Sequence, residues 1–532
     1  MKVRYILFAA CFSYAGLVHA VLPQTVYSDS TDKAPENWFN LDAQTSQIQG
    51  VSTEKTYEIL KDKPAKKVIV AVIDSGVDPE HEDLADKLWT NEDEKAGNGI
   101  DDDKNGYIDD VHGWNFIGGA DGTNVSNDTY ELTREYVRLQ KKYGGQATEE
   151  LPKEEKAYYE KIKRSYEAKV AEMQQERAAF QYFADSYRRS NQLITAYLGV
   201  DEVTADSLAS LNSPDEVVMM AKGFMEYALE KGFNEEGLKE LEEYFSSALD
   251  YGYNTDFNSR TIVGDHYNDL SERYYGNSDV KGPDARHGTH VAGIIAANRT
   301  NNLGIKGIAD QVEIMIIRAV PDGDERDKDV ANAIYYAVDN GAKIVNMSFG
   351  KSYSPQKEAV DAAVKYAQEK GVLIIHAAGN SGEDIDKNDN FPNRSFANSK
   401  KTADNWIEVG ASSWKGEGDF VASFSNYGKR SVDVFAPGVD LYSTTPNQSY
   451  ESLSGTSMAA PVVSGVAALL MSYYPDLSVE EIKEILLKSA VKLNKLKVNS
   501  PGDAAKQVKF SSLSRTGGVV NALEAVKLAE TY

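Results

Sequence analysis

Cysteine is almost absent from this chain of 532 residues, which contains only Cys11. Cys11 lies in an apolar stretch, residues 5–18, that follows two basic residues and ends in small residues near Ala20. This order of charge, apolar core and small residues predicts a secretory signal peptide over residues 1–20. Its removal would leave no cysteine, which excludes disulfide bonds and thiol catalysis in the mature chain.

An alternative for the N-terminus is a lipid anchor, because residues 7–10 before Cys11 resemble a lipoprotein processing site. Both interpretations predict export, either as a secreted or periplasmic protein cleaved near Ala20 or as a lipoprotein anchored at Cys11. The apolar stretch falls short of the roughly 20 residues of a membrane-spanning helix, and no later segment supplies such a run. We therefore expect the mature chain to have no transmembrane segment.

Positive charge is scarce as well. Lys and Arg number 57 against 82 Asp and Glu, which gives a formal net charge of −25. Such a chain repels phosphate backbones and anionic membrane surfaces, so nucleic-acid binding is not expected. Hydrophobic residues make up 41% of the chain, which indicates a folded protein, and its length predicts two or three structural units.

Short apolar runs rich in β-branched residues recur along the chain and predict strands buried on both faces of a parallel sheet. Segments with apolar residues at helical spacing lie between them, so the sequence predicts an α/β fold with a mainly parallel sheet. Ligands are expected at the carboxyl ends of its strands. The strand-like runs are residues 67–73, 313–317, 344–347, 372–375 and 432–435, and the helical segments are 329–340 and 355–370.

Residues 127–253 differ from the rest because they are rich in charge and carry apolar residues at three- and four-residue steps. This pattern predicts an all-α insertion of three or four helices, one of which begins with a cap at Ser213. Such an insertion is either an inert cap or a surface that binds a partner or gates substrate access. The predicted organisation is a signal peptide (1–20), a short N-terminal extension (21–64), an α/β domain (65–126 and 254–532) and the insertion (127–253).

Ser457 stands in the sequence Leu-Ser-Gly-Thr-Ser-Met-Ala-Ala-Pro, residues 453–461, which leads into a run of small apolar residues. The glycine permits a tight turn, and the proline suits the first turn of a helix. A serine at this helix start lies beside backbone N–H groups that have no partner in the helix and that can stabilise an oxyanion. Taken alone, a serine at a helix start is more often an N-cap than a nucleophile.

His287 and Asp74 lie in two further segments of polar residues next to apolar elements. His287 begins a helix with small residues and can act as a general base near neutral pH. Asp74 ends the first strand-like run, where a carboxylate can orient an imidazole. His290 follows three residues after His287, but no third metal ligand lies at helical spacing, so we interpret His290 as a buried structural histidine.

The three segments together resemble the motifs of subtilisin-like serine proteases (peptidase family S8), and Asp74, His287 and Ser457 occur in the chain order of subtilisin. The resemblance covers residues 67–124 and 267–488. It implies a three-layer sandwich with a seven-stranded, mainly parallel sheet, and hydrolysis of proteins or peptides through an acyl-enzyme without a catalytic cofactor. Ser457 would attack, His287 would move the proton, and Asp74 would orient the imidazole.

The same resemblance assigns further residues to the site. Asn380, in Ala-Ala-Gly-Asn-Ser-Gly, matches the family's oxyanion donor. Ser348, Phe349 and Gly350 resemble the strand that pairs with the substrate backbone. The opposite wall of the first specificity pocket would consist of small residues, which suggests that the pocket accepts apolar or aromatic side chains. These residues are Ala377, Ala378 and Gly379.

An acidic loop at residues 98–110 carries the spacing D-x-D-x-N-G, which places oxygen ligands at alternate positions around a glycine turn. The twelfth position is His112 and not glutamate, so the complete calcium-loop pattern is not met. The loop is either a structural Ca²⁺ site or a solvated acidic turn. The candidate ligands are Asp101, Asp103, Asn105, the carbonyl of Tyr107, and Asp109.

Two features limit the resemblance, and two other functions compete with it. Residues 21–64 are too short for an independent inhibitory prodomain, and the insertion is foreign to a minimal family member. A lipase or esterase would show G-x-S-x-G around its nucleophile, where this chain has Gly-Thr-Ser-Met-Ala. A non-catalytic binding protein would have no need to retain nucleophile, base and oxyanion donor together.

Overall fold

A computed structural model of the protein describes residues 33–144 and 152–532. The predicted signal peptide and Cys11 lie outside the described residues. The chain divides into two compact units, a larger one formed by Ala34–Glu131 and Phe257–Tyr532 and a smaller one that includes Leu132–Asp256. This division is offset by a few residues from the boundaries at 127 and 253 that the sequence suggested.

The larger unit contains the β-strands of the described chain. In chain order they are β1 (Val68–Asp74), β2 (Gly113–Asn115), β3 (Val312–Arg318), β4 (Ile344–Met347), β5 (Leu373–Ala377), β6 (Trp406–Ser412), β7 (Val434–Pro437), β8 (Leu441–Thr445), β9 (Ser449–Leu453), β10 (Val491–Lys492), β11 (Lys497–Ser500), β12 (Asp503–Lys509) and β13 (Gly518–Val519).

Nine of these strands form one sheet in the order β10-β13-β7-β6-β5-β4-β1-β3-β2. All neighbouring pairs are parallel except β10 with β13. The mainly parallel sheet predicted from the sequence is confirmed, although it has nine strands where the resemblance implied seven, because two-residue strands extend one edge. β8 with β9 and β11 with β12 form separate antiparallel pairs.

Every strand-like run predicted from the sequence corresponds to a strand, but several other strands were not identified, among them the central strand β6. It contains Glu408, a charged residue that conceals the strand pattern. Glu408 is only 4% exposed. Its carboxylate is hydrogen-bonded to His376 on β5 at 2.9 Å and to Trp406 on β6 at 2.7 Å. A buried carboxylate is tolerated where it is hydrogen-bonded in this way.

The α-helices of the described chain flank the sheet or form the smaller unit. In chain order they are α1 (Ala43–Ser46), α2 (Thr53–Leu60), α3 (Glu131–Tyr143), α4 (Lys153–Leu198), α5 (Ala205–Ser210), α6 (Glu216–Glu230), α7 (Glu235–Ser246), α8 (Arg260–Val263), α9 (Arg286–Ala296), α10 (Asp327–Asp339), α11 (Lys357–Glu369), α12 (Thr456–Tyr473), α13 (Val479–Lys488) and α14 (Ala522–Ala529).

Helix α12 lies in the core of the larger unit. Its residues are almost all buried, and it packs with α9 in the layer that covers one face of the sheet. By length and composition it is the one helix of the described chain that could cross a membrane, but 89% of that apolar window is buried inside the protein. A second layer, containing α10 and α11, covers the other face. The three-layer arrangement expected from the sequence is confirmed.

The described part of the N-terminal extension belongs to the core. Trp38 and Phe39 are fully buried, and the indole Nε1 of Trp38 lies 3.2 Å from the carbonyl oxygens of Val439 and Asp440. Near the other terminus, the side-chain amide of Asn521 donates to Ser52 Oγ at 2.9 Å. Residues from both ends of the chain thus pack together on the sheet domain.

The smaller unit is helical, as the sequence predicted, with the 46-residue helix α4 as its longest element. Most of α3, all of α5, α6 and α7, and a π-helix at Ser247–Gly252 complete its described part, which is more than the three or four helices expected. The cap expected at Ser213 was wrong. Asp215 caps α6 instead, with its carboxylate accepting from the N–H of Val217 at 2.8 Å.

Candidate active site

Asp74 and His287 are brought into direct contact although they are 213 residues apart. Asp74 is the last residue of β1, and His287 lies in the first turn of α9. Nδ1 of His287 lies 2.7 Å from Oδ1 of Asp74, which also accepts from the N–H of Ser75 at 2.8 Å. The Asp74 side chain is 2% exposed, whereas that of His287 is 39% exposed, so the carboxylate is buried and the imidazole reaches the surface of the cleft. Because a carboxylate only accepts, Nδ1 carries the proton and Nε2 of the neutral ring remains a base.

The environments of the two histidines on α9 give them opposite pKa shifts. Burial of His287 disfavours its charged form, but the negative charge of Asp74 and the hydrogen bond outweigh this and raise the pKa of His287. Burial of His290 lowers its pKa to about 3. Nε2 of His290 lies 2.9 Å from the carbonyl oxygen of Leu441, so His290 is a neutral residue of the interior, as expected from the sequence.

Ser457 lies in the first turn of α12, and its hydroxyl faces the carboxyl end of β4. Oγ of Ser457 donates to the carbonyl of Ser348 at 3.0 Å, and Oγ of Ser348 donates to the carbonyl of Ser457 at 2.8 Å. Within the described residues, no hydrogen bond joins Ser457 to His287. A catalytic hydrogen bond is often absent from a free enzyme and forms only with substrate, so this rotamer is compatible with a triad.

Asn380 follows β5 and is held by the residue before Ser457. Its Oδ1 accepts from both the N–H and the hydroxyl of Thr456, each at 2.9 Å. The hydroxyl of Thr456 accepts in turn from the N–H of Gly379 at 3.0 Å. Because the amide oxygen is engaged in this way, the orientation of the Asn380 amide is fixed and its NH₂ group remains available to donate. Thr456 was not singled out from the sequence, although it lies inside the Ser457 motif.

A cleft of about 250 Å³ runs past Asp74 and His287. Its residues come from the ends of β1 and β3, from the segments that follow β1, β2, β3 and β4, and from residues just before and at the start of α9. They are Asp74, Ser75, Ser126, Pro283, Asp284, His287, Arg318, Val320, Pro321, Asp322, Ser348 and Phe349. The site thus lies at the carboxyl ends of β1, β3 and β4, where ligands bind in sheets of this kind.

Arg318, the last residue of β3, is a buried cation in this cleft that sequence reasoning missed. Its Nε donates to the carbonyl of Ser75 at 2.8 Å, and its guanidinium also hydrogen-bonds to Asn115. Burial lowers its pKa to about 10. The signal was present in the sequence, because an arginine that ends a buried apolar strand needs polar partners at that edge.

The two segments expected to bind substrate lie at the ends of neighbouring strands, since β4 and β5 are paired in register. The backbone of Ala378 and Gly379 is already hydrogen-bonded to Val409 and Asn426. In the part of the chain that the structure describes, the N–H and C=O of Gly350 have no hydrogen-bond partner. An edge with open backbone groups can accept an added strand.

The acidic loop forms a cluster in which Glu94 joins Asp101 and Asp103. One carboxylate oxygen of each residue lies within 4.8 Å of the others. Glu94 is 8% exposed, and its Oε1 accepts from the N–H groups of Asp102 and Asp103. Three carboxylates this close repel one another unless a cation is present. Glu94 lies upstream of the motif, so the spacing of the loop gave no sign of it.

The other candidate ligands are placed differently. Oδ1 of Asn105 accepts from the N–H of Tyr107, and the Tyr107 ring is buried. The carboxylate of Asp109 accepts from the N–H groups of Asn98 and Gly99, so it closes the start of the loop. The structure brings only Asp101 and Asp103 together with a third acidic side chain.

These features agree with comparisons to known proteins. The model of the subtilase family, peptidase S8, matches residues 65–507. The chain therefore belongs to the subtilase family, and it is a subtilisin-like serine-type endopeptidase.

Three curated relatives illustrate the similarity. The chain is 44% identical over 187 residues to the thermophilic serine proteinase of Bacillus sp. (strain AK1), covering 35% of this chain and 42% of the relative. Thermitase of Thermoactinomyces vulgaris is 39% identical over 219 residues, 40% of this chain and 72% of thermitase. The major intracellular serine protease of Bacillus subtilis (strain 168) is 34% identical over 311 residues, with coverages of 57% and 88%.

The contact between Asp74 and His287 predicts how the pKa of His287 responds to mutation. We expect Asp74→Asn to lower the pKa of His287 relative to wild type, because the substitution removes the charge that stabilises the imidazolium. The measurement is an NMR titration of protein labelled with ¹⁵N-histidine. Asp86→Asn, at an exposed position away from the site, should leave this pKa unchanged. An unchanged pKa in Asp74→Asn would contradict the geometry described here.

Proposed function

We propose that the protein is an exported serine endopeptidase that hydrolyses peptide bonds in proteins or peptides through an acyl-enzyme. The observation that carries the mechanism is the 2.7 Å contact between Asp74 and His287, in a cleft that is also lined by Ser348, to whose carbonyl the Ser457 hydroxyl donates. Export is supported by the order of charged, apolar and small residues at positions 1–20. The chain is either released after cleavage near Ala20 or anchored by lipid at Cys11.

The proposed reaction begins with rotation of the Ser457 hydroxyl away from the Ser348 carbonyl toward Nε2 of His287. Ser457 then attacks the substrate carbonyl while His287 accepts its proton, and Asp74 stabilises the imidazolium that results. His287 returns the proton to the leaving amine, and water repeats the sequence to release the acyl group. The raised pKa of His287 makes its ring a stronger base for the first step.

The developing oxyanion is stabilised by Asn380 and by the N–H of Ser457. The side-chain oxygen of Asn380 is fixed by Thr456, so its NH₂ group is oriented before the substrate arrives. The N–H of Ser457 lies in the first turn of α12, where backbone donors have no partner within the helix. Donors that are already oriented need no rearrangement in the transition state, which makes them effective in catalysis.

The acyl side of the substrate lies along residues 348–350. The open N–H and C=O of Gly350 pair with the substrate backbone as an added strand. Ala377, Ala378 and Gly379 form the wall of the first specificity pocket, where the absence of large side chains leaves room for an apolar or aromatic residue. No cofactor takes part in these steps.

The nucleophile is tested by labelling mature protein with a fluorophosphonate and by digestion of casein. Wild type should be labelled, and Ser457→Ala should lose the label together with at least about 10⁴-fold of the casein activity. Ser454→Ala, three residues earlier in the same motif, should retain both the label and the casein activity, because the Ser454 hydroxyl accepts a hydrogen bond from the N–H of Asp440. A folded wild type that is neither labelled nor active would contradict the proposal and would favour a binding protein.

The role of Thr456 as a positioning residue is tested by Thr456→Val, which removes the hydroxyl without changing the size of this fully buried side chain. We expect kcat to fall about tenfold with little change in KM, because Asn380 loses one of two contacts that orient it. Thr456→Ser should restore activity.

A double variant separates this role from a general structural one. Asn380→Ala should lower kcat by about 10²–10³-fold. If Thr456 acts through Asn380, adding Thr456→Val to Asn380→Ala should cause little further loss. Full additivity of the two effects would contradict the positioning role.

We further propose that Glu94, Asp101 and Asp103 bind a structural Ca²⁺ ion. The support is their convergence within 4.8 Å, which supplies a carboxylate in place of the glutamate missing at position 112. Hard oxygen ligands of this kind suit Ca²⁺. The ion would neutralise the cluster and fix the loop, with no part in the chemical steps.

This proposal predicts a change in thermal stability on chelation. Removal of calcium by EDTA, from a concentration about 100 times the Kd, should lower Tm by about 3 °C, because binding to the folded state alone stabilises it by about 2.7 kcal/mol. Glu94→Gln should have a lower Tm in calcium and a weaker response to EDTA. Glu92→Gln, at an exposed neighbouring position, should behave as wild type. If EDTA leaves the wild-type Tm unchanged, the loop is a solvated acidic turn.

A further inference from the structure

Lys351, which directly follows the proposed substrate-binding residues 348–350, is a buried lysine. Its side chain is 1% exposed. Nζ lies 2.8 Å from the carboxylate of Glu131 and 2.8 Å from that of Asp327, and it donates to the carbonyl of Glu325 at 2.7 Å. Displacing this ammonium would remove a positive charge from between two buried carboxylates, so it is held firmly in place. We name Lys351, Glu131 and Asp327 the Lys351 cluster.

The Lys351 cluster joins the two walls of the cleft. One wall ends in Ser348 and Phe349, and Lys351 follows two residues after Phe349. The other wall consists of residues 320–322, which lead within a few residues to Glu325 and Asp327. Through its contacts with Glu325 and Asp327, the lysine side chain therefore links the two segments that continue these walls.

Both ends of this connection are fixed by further hydrogen bonds. The N–H of Lys351 donates to the carbonyl of Phe391 at 2.8 Å, and its carbonyl accepts from the N–H of Phe391 at 2.9 Å. The carboxylate of Asp327 also accepts from the hydroxyl of Ser354 at 3.0 Å and from the N–H of Gln356 at 2.8 Å. Both segments that Lys351 links are thus fixed in position by hydrogen bonds of their own.

Strand geometry indicates which residue of a bound peptide lies opposite Lys351. The hydroxyl of Ser457 contacts the carbonyl of Ser348, so the residue to be acylated lies opposite Ser348. Backbone groups of a strand face the same neighbour at every second residue. The third acyl-side residue of the peptide therefore lies opposite Gly350, and the fourth meets Lys351.

We infer that the Lys351 cluster ends the substrate-binding cleft after the third residue on the acyl side. The enzyme consequently selects peptides by three acyl-side residues and has no side-chain pocket for the fourth. This inference rests on the proposed function, because it assumes that Ser457 is acylated by a peptide bound along residues 348–350. Lys351, Glu131 and Asp327 then determine specificity without touching the reacting atoms.

The test compares peptide p-nitroanilides with two, three or four acyl-side residues and with Ala or Phe at the fourth position. For wild type, kcat/KM should rise from two residues to three. It should change by less than about twofold when the fourth is added, whichever side chain that residue carries.

The variant that opens the cleft is Lys351→Ala combined with Glu131→Gln. Removing one charge of each sign avoids leaving two carboxylates facing each other, and Asp327 keeps its bonds to Ser354 and Gln356. The variant should prefer Phe over Ala at the fourth position by about tenfold, since the vacated space accepts an aromatic ring. The matched control is Lys357→Ala with Asp361→Asn, an ion pair on α11, and it should behave as wild type.

Fluorophosphonate labelling of every variant separates this inference from the proposed function. A labelled, active opening variant that shows no preference at the fourth position would overturn the inference and leave the proposed function intact. An unlabelled wild type would overturn the proposed function itself. If the opening variant does not fold, the wild-type peptide series still tests the inference. A tenfold or larger gain in kcat/KM from a fourth residue would show that the cleft continues past Lys351.

Discussion

The contact between Asp74 and His287 depends on how closely helix α9 approaches the end of strand β1. Gly288 makes that approach possible, because a Cβ atom at this position would lie 2.1 Å from the carbonyl oxygen of Gly76. Real Cβ atoms do not come so close to a backbone oxygen, so any side chain at Gly288 would push the helix away. The position of the His287 imidazole is therefore set by the close packing of Gly288 against the backbone of Gly76.

The sequence predicted most of the sheet and much of the site because these features are local. Buried parallel strands appear as continuous apolar runs, and Asp74, His287 and Ser457 each stand within a long motif. Strand β6 was missed because the residues that hydrogen-bond to its Glu408 come partly from another strand. Glu94 and Lys351 were missed for the same reason, since their roles depend on residues that are remote in sequence or outside the motifs.

Buried ion pairs mark the places where the chain leaves the larger unit for the helical segment and returns from it. Asp128, before the segment, forms a bidentate pair with Arg326 at 2.7 and 2.9 Å. Arg260, after the segment, lies 2.6 Å from Asp329. Such pairs add less stability than apolar packing would, but their geometry is specific. Both connections are thereby tied to one short stretch at the start of α10, close in sequence to the wall of the cleft.

The burial of Trp38 also constrains the order in which this protein acquires its structure. The indole is hydrogen-bonded to residues about 400 positions later in the chain. Synthesis proceeds from the N-terminus, so this large apolar ring stays uncovered until nearly the whole polypeptide exists. Contacts of such long sequence separation close slowly. During synthesis, the uncovered Trp38 side chain would therefore be a long-lived binding site for a chaperone that recognises exposed aromatic residues.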